Sequence, residues 1–280
     1  MKSKLFFSTF ILSICSTFIF AGDFDLNDKT MKGHGRGRSS DSKLFVGFSI
    51  GAGIPMGNFG KHDTAGGTLP FPGRDTTKLK GYANTGYNFN FKAGYRFTEN
   101  IGAMIQIGGN MNSFDISALD QVVFPSGSGI TNPSGTATPH YIGTYLVGPF
   151  FVIPAGEKLD FDAHILVGLM TVSYSEVKPS GTDTSGTYMG QPGGAFTYDL
   201  KYKSATTFGY SFGIGLKYKI TDMIGLTLSA DYLGGTPVFT TYTLTANEGG
   251  ITIPAAVDNT IKASMSTSLI NVNLGVILSF

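Results

Sequence analysis

The sequence closes with INVNLGVILSF, residues 270–280. Apolar side chains occupy every even position of this stretch, whereas the odd positions hold mainly Asn, Gly and Ser. Successive side chains of a β-strand point to opposite faces, so a period of two predicts a strand with one apolar and one polar face. The polar face carries no charged residue, which is unusual for a surface that meets water.

The same alternation recurs seven more times, so the sequence predicts eight strands. The other seven segments are 44–50, 87–97, 103–110, 141–152, 159–168, 208–220 and 224–232. Residues 141–152 are apolar at both even and odd positions, which leaves the orientation of that strand open.

The connections between these strands alternate between two lengths. The short ones are 98–100, 153–158 and 221–223. The long ones are roughly 54–84, 113–139, 175–205 and 234–264. The long connections are rich in Gly, Ser, Thr, Pro and Asn, and they are predicted to be loops without regular structure. Because long and short connections alternate, all four loops leave the sheet at the same end.

The composition excludes several classes of protein. Charged residues make up 14% of the chain, against about 25% in typical soluble proteins, and 39 of the 280 residues are Gly. The 20 Lys and Arg residues nearly balance the 19 Asp and Glu residues, which gives no electrostatic basis for binding nucleic acid. A single Cys excludes a disulfide scaffold.

The uncharged polar faces favour a membrane barrel over a soluble one. A soluble barrel also alternates, but its polar face normally carries Lys, Arg, Asp and Glu. In hydrocarbon every backbone N–H and C=O must be paired internally, which a sheet achieves only by closing on itself. The predicted fold is therefore all-β: a closed antiparallel transmembrane β-barrel of eight strands, with three short periplasmic turns and four long extracellular loops.

The first part of the chain is predicted to direct export. Residues 1–21 have the lysines and apolar run of a signal peptide cleaved after Ala21, and the run is shorter than a helical membrane span. Cleavage would remove Cys15, the only cysteine. Residues 22–42 are polar and Gly-rich and are predicted to be a flexible periplasmic segment, followed by an outer-membrane β-barrel domain over 43–280.

These features resemble the small eight-stranded outer-membrane barrels of the OmpA/OmpX type, in the outer membrane protein β-barrel domain family. The resemblance rests on the alternation, the even number of strands, the export segment and the terminal Phe280, which is similar to the family's assembly signal. It implies a monomer in the outer membrane of a Gram-negative cell, with outer-membrane lipids and the barrel assembly machinery as partners.

Several charged side chains are predicted to face the lumen, because they lie on the polar faces of their strands. They are Lys92, Arg96, Asp160, Asp162, His164, Lys217 and Lys219, here called the lumen cluster. A gate or an ion-binding constriction is one interpretation. The favoured interpretation is a structural plug of ion pairs, because eight strands leave an interior that side chains can fill.

The sequence favours a protein without enzymatic activity, whose loops serve a structural or surface-interaction role such as adhesion to an extracellular ligand. A small pore or transporter of hydrophobic or small solutes is the alternative, and a lipid A-modifying enzyme is a second one. His140, with Ser134 and Asp120 in the preceding loop, is the candidate group for such an enzyme, although a rim histidine facing water is the simpler interpretation. No motif indicates a cofactor or a metal ion.

Overall fold

The barrel strands carry the architecture. The computed structural model describes residues 43–62, 79–124, 128–186, 193–248, 251–258 and 262–280. In chain order the strands are β1 (Leu44–Met56), β2 (Gly86–Arg96), β3 (Ile101–Asn112), β4 (Ile130–Ala137), β5 (His140–Pro154), β6 (Leu159–Ser173), β7 (Val177–Asp183), β8 (Gly194–Tyr202), β9 (Ala205–Lys219), β10 (Ile224–Gly235), β11 (Val238–Phe239), β12 (Tyr242–Glu248), β13 (Ile251–Asp258), β14 (Ala263–Ser264) and β15 (Thr267–Ser279).

Eight of these strands form a closed barrel in the order β1-β15-β10-β9-β6-β5-β3-β2, and every neighbouring pair is antiparallel. The first and last strands close it: Phe280 N–H donates to the Leu44 carbonyl at 2.8 Å, and Leu44 N–H donates to the Phe280 carbonyl at 3.2 Å. The prediction of eight strands in a closed barrel is confirmed.

Burial confirms which face of each strand points outward. The Leu274 side chain is 62% exposed on the outside of the barrel, whereas its neighbour Asn273 is 1% exposed inside it. The structure also resolves the orientation of β5, since Tyr145 is exposed and Leu146 and Phe150 are buried in the interior. An apolar exterior around a polar interior is the arrangement that a barrel in hydrocarbon requires.

The prediction that the long connections lack regular structure was wrong. They carry a five-stranded sheet in the order β13-β12-β8-β7-β4, a two-stranded sheet of β11 and β14, and a helix, α1 (Ile116–Val123). The five-stranded sheet forms because its strands also alternate: in β8, Phe196, Leu200 and Tyr202 are buried and Thr197 is exposed. Ser, Thr and Gly at the intervening positions gave these segments the composition of loops.

Helix α1 begins where a side chain can satisfy its free N–H groups. The Asp115 carboxylate accepts a hydrogen bond from the Ala118 N–H at 3.1 Å, the usual role of an N-terminal capping residue. Among the described residues, no helix is long and apolar enough to cross a membrane. The predicted signal peptide and the predicted flexible segment lie outside the described residues.

Candidate functional site: the barrel lumen

A buried carboxylate is the centre of the lumen. Asp231, on β10, is 1% exposed. Its Oδ2 accepts hydrogen bonds from Asn273 Nδ2 at 2.9 Å and from Ser229 Oγ at 3.0 Å. Its Oδ1 lies 3.3 Å from Lys92 Nζ and 2.8 Å from His164 Nε2. Four side chains therefore meet at one carboxylate, which is the kind of surrounding that a buried charge needs.

These contacts cross the interior of the barrel. Lys92 lies on β2 and Asp231 on β10, and two strands, β1 and β15, separate β2 from β10 in the barrel order. His164 lies on β6, which β9 separates from β10. Side chains from three non-adjacent strands thus converge in the middle of the lumen, because an eight-stranded barrel is narrow enough for them to reach each other.

A glycine makes room for this convergence. Gly213, on β9, is paired in register with both Asp231 and His164. A Cβ atom at Gly213 would overlap the Asp231 carboxylate and the His164 ring. In the neighbouring inward position, a Cβ atom at Gly215 would collide with the Asp162 carboxylate. Because the inward-facing glycines of β9 have no side chains, the polar side chains of the neighbouring strands can occupy the space in front of them.

We expect Gly213→Ala to destabilise the barrel by about 1–3 kcal/mol, since the added methyl group must displace either His164 or Asp231. The free energy of unfolding in urea measures the loss. Gly143→Ala on β5 is the matched control, because nothing lies within 4 Å of a Cβ atom at that position. Equal losses at the two glycines would contradict this account of β9.

A layer of uncharged polar side chains lies beside the Asp231 centre. Asn90 Nδ2 donates to Asn88 Oδ1 at 3.2 Å and to Asn273 Oδ1 at 3.5 Å, and Gln106 Nε2 donates to Asn90 Oδ1 at 3.1 Å. These four side chains are all buried. The uncharged polar faces of the strands thus bond to one another inside the barrel.

The half of the lumen nearer the short turns is less completely paired. Lys219 Nζ lies 3.1 Å from Asp160 Oδ2. Lys217 Nζ donates to Ser279 Oγ at 2.7 Å, and the one ion-pair contact of the Asp162 carboxylate within the described ranges is a long one, 3.9 Å, to His164 Nδ1. No carboxylate of the described residues forms an ion pair with Arg96 or with Lys217. The lumen cluster is therefore several separate contacts and not one continuous network of ion pairs.

A cavity of about 60 Å³ lies among these side chains. Its polar lining consists of Ser49, Lys92, Arg96, Asp160, Asp162, Lys217, Thr227 and Ser229. Phe45, Met104 and Phe150 contribute much of the apolar lining. A space of this size and polarity can hold a few water molecules or one small solute.

Asp231 is the residue of this site that the sequence reasoning missed. Its position was visible, since it lies on the polar face of the predicted strand 224–232, in phase with Ser229. Five of the seven predicted members of the lumen cluster line the cavity, and the other two, His164 and Lys219, contact the carboxylates of Asp231 and Asp160. The structure joins Lys92 and His164 through Asp231, pairs Lys219 with Asp160, and leaves Arg96 outside these contacts.

At the opposite end of the barrel, the long connections meet in an aromatic cluster. All four connections and the start of β5 contribute buried rings, with contacting centroids 4.9–6.2 Å apart. The members are Phe59, Tyr82, Phe114, His140, Tyr174, Tyr202, Phe239 and Tyr242. The same contiguous core includes Met170 and Leu269, which lie on the inner faces of β6 and β15.

His140 does not face water, so the interpretation of it as a solvent-facing rim residue was wrong. Its side chain is fully buried, its Nε2 lies 2.7 Å from the Gly81 carbonyl oxygen, and its Nδ1 accepts a hydrogen bond from the Ser175 N–H at 3.2 Å. Ser134 Oγ is instead paired with Ser180 Oγ at 2.9 Å. With both ring nitrogens engaged by the backbone, His140 is a structural part of the aromatic cluster.

A further group of titratable side chains lies near the long connections. His62 Nε2 lies 3.5 Å from Asp115 Oδ2, and Ser117 Oγ donates to the other oxygen of the same carboxylate at 2.6 Å. The carboxylate lies between the hydroxyl and the imidazole, so the imidazole cannot act as a base toward that hydroxyl. Within the described ranges, no group of three or more His, Cys, Asp or Glu side chains is placed to hold a metal ion.

A family model described as "Outer membrane protein beta-barrel domain" matches residues 38–276. A comparison with curated proteins gave no match.

Solved structures provide fold neighbours at low identity. Ail, the attachment invasion locus protein of Yersinia pestis, is 14% identical, with 85% of this chain and 97% of Ail covered and a TM-score of 0.36. A major outer membrane protein from Thermus thermophilus is 12% identical, with 85% and 99% covered and a TM-score of 0.42. The outer membrane protease OmpT from Escherichia coli is 10% identical, with 90% and 99% covered and a TM-score of 0.41.

Proposed function

Because this chain belongs to the outer membrane protein β-barrel domain family, we propose that it is a monomeric outer-membrane protein with a closed lumen, whose long connections form a rigid surface for contact outside the cell. It acts as a structural and surface-interaction protein, not as an enzyme or an open pore. The supporting observation is that two separate groups of side chains fill the barrel: the Asp231 centre at mid-height and the aromatic cluster at the end of the long connections.

The aromatic cluster supports closure because it is built from buried rings of all four connections. Burial of large aromatic side chains stabilises a packed arrangement through both apolar area and ring–ring contacts. Connections held this way offer a preorganised surface, which lowers the entropy cost of binding a partner.

The five-stranded sheet is the candidate contact surface. Four charged residues on and beside it pair with each other: Lys178 Nζ lies 2.9 Å from Glu176 and 2.8 Å from Asp199, and Lys201 Nζ lies 2.9 Å from Glu176. Hydrogen bonds from Lys178 and Lys201 hold the pKa of Glu176 below its ordinary value. The sheet therefore presents a hydrated, mutually neutralised surface suited to a polar extracellular ligand.

We expect planar-bilayer recordings of the purified protein to show no steady single-channel current. The physical reason is that Lys92 bridges the lumen to Asp231 while the aromatic cluster occupies the far end. Steady, large currents from the unmodified protein would overturn the closed-lumen proposal and favour the pore or transporter instead.

We expect the five-stranded sheet to lie outside the cell and the short turns to lie in the periplasm. Thr197→Cys, exposed on β8, should react with a membrane-impermeant maleimide on intact cells. Glu99→Cys, exposed in the turn between β2 and β3, should react only after the outer membrane is opened. The opposite pattern would reverse the orientation and remove the basis for the contact surface.

The proposal also assigns roles in export and assembly to the two ends of the chain. Residues 1–21 serve as a cleaved signal peptide, residues 22–42 remain in the periplasm, and residues 43–280 insert as the barrel. Phe280 serves as the signal for the barrel assembly machinery. Its backbone bonds to Leu44 and its 53% exposed ring at the end of the closing strand are consistent with that role.

A further inference from the structure

Two cationic side chains in the lumen have no carboxylate partner among the described residues. Lys217 is 7% exposed, and its ammonium group, which has three donors, makes a single hydrogen bond, to Ser279 Oγ. Arg96 forms neither an ion pair nor a side-chain hydrogen bond to any described residue. Both side chains line the cavity of about 60 Å³. A buried cation without a carboxylate partner carries a substantial desolvation cost, so the two remaining donors of Lys217 require a further acceptor, and the half-buried Arg96 offers its donors to the same space.

The nearby carboxylates do not supply it. Asp160 is engaged by Lys219, and Asp231 by Lys92 and His164. The Asp162 carboxylate remains as the third negative charge. Within the described part of the lumen, four cationic side chains, Lys92, Arg96, Lys217 and Lys219, thus face three carboxylates, so positive charge is in excess by at least one.

We propose that the cavity binds a small monovalent anion, of the class of chloride, between Arg96 and Lys217. The cavity size admits a halide ion and excludes large organic anions. One negative charge offsets the excess positive charge, whereas Asp160 and Asp162, which line the same space, would repel a divalent phosphate or sulfate about twice as strongly as a monovalent ion. The apolar wall formed by Phe45, Met104 and Phe150 strengthens the attraction between the ion and its two cations.

Bromide provides a direct probe. Crystals of the full barrel grown in sodium bromide should show an anomalous peak inside the cavity, within hydrogen-bonding reach of Lys217 Nζ and the Arg96 guanidinium. The absence of a bromide peak at that place in well-ordered crystals, with water alone in the cavity, would overturn the proposal.

Stability in solution provides the second test. At constant ionic strength, replacing sodium gluconate by sodium chloride should raise the urea midpoint of the wild-type protein in a saturable way, because a ligand that binds the folded state stabilises it. Lys217→Met should weaken the apparent chloride affinity about tenfold or more, since a hydrogen bond to a charged group is lost. An equal chloride response in Lys217→Met and in the wild type would contradict the site.

Two further variants separate binding from general destabilisation. Lys158→Met removes an exposed cation from the turn between β5 and β6 and should keep the wild-type chloride response. Asp162→Asn removes a negative charge from the cavity wall and should tighten chloride binding. A weaker chloride response in Asp162→Asn would show that the cavity does not hold an anion.

Discussion

Replacing Asp231 with alanine should lower the free energy of unfolding by on the order of 3–5 kcal/mol, because removing one partner leaves buried charges without compensation. Lys92 and His164 would lose the carboxylate that lies 3.3 and 2.8 Å from them. Asn273 would lose the acceptor of its 2.9 Å hydrogen bond. Equilibrium unfolding in urea, with the protein in lipid vesicles, measures the loss.

The charge of Asp231, and not only its volume, carries this effect. Asp231→Asn preserves the shape and should still be strongly destabilising, because a neutral amide cannot balance Lys92. Asp222→Ala removes an exposed carboxylate from the turn between β9 and β10 and should change stability little. Comparable losses in Asp231→Ala and Asp222→Ala would show that the centre does not stabilise the barrel.

Asp162→Ala should cost less than Asp231→Ala, although both carboxylates lie on inward faces. The Asp162 side chain is 26% exposed and, among the described residues, its one ion-pair contact is to His164 at 3.9 Å, so water solvates much of its charge. Sequence reasoning placed both residues on the polar faces of their strands but could not rank them. The ranking depends on contacts between β2, β6 and β10, which the register and tilt of the whole barrel determine.

The strands themselves were predictable because a membrane barrel imposes one simple rule on each of them. Lipid on one side and a filled lumen on the other force a period of two, which remains readable even where single strands are ambiguous. Among the barrel strands, only the orientation of β5 could not be predicted. Its inward Ile142, Leu146 and Phe150 pack against apolar residues such as Phe45, so both of its faces are apolar.

The long connections were mispredicted for a related reason. Their sheet lies outside the barrel, and the side chains that it buries, such as Val177, Phe196 and Tyr202, alternate with Ser, Thr, Gly and Lys. Strands of that composition resemble loops when judged by residue content, although β8 and β12 have a clear period of two. β8 pairs with β12 and β7, and β7 pairs with β4, so strands from different connections complete a buried face that no single segment reveals.

Leu274→Arg should lower the free energy of unfolding by about 2–4 kcal/mol, the cost of a cation on the lipid face near the bilayer midplane. Leu274 lies near the middle of β15, and its side chain is 62% exposed on the outside of the barrel. Leu278→Arg is the matched control: it lies on the same face of the same strand, with its side chain 40% exposed, but close to the short-turn end. There the arginine can reach the headgroups and water, so the cost should fall to about 0–1 kcal/mol. A cost at Leu278 as large as at Leu274 would mean that the hydrocarbon belt extends to the end of the strand, and small costs at both would mean that this face does not contact lipid.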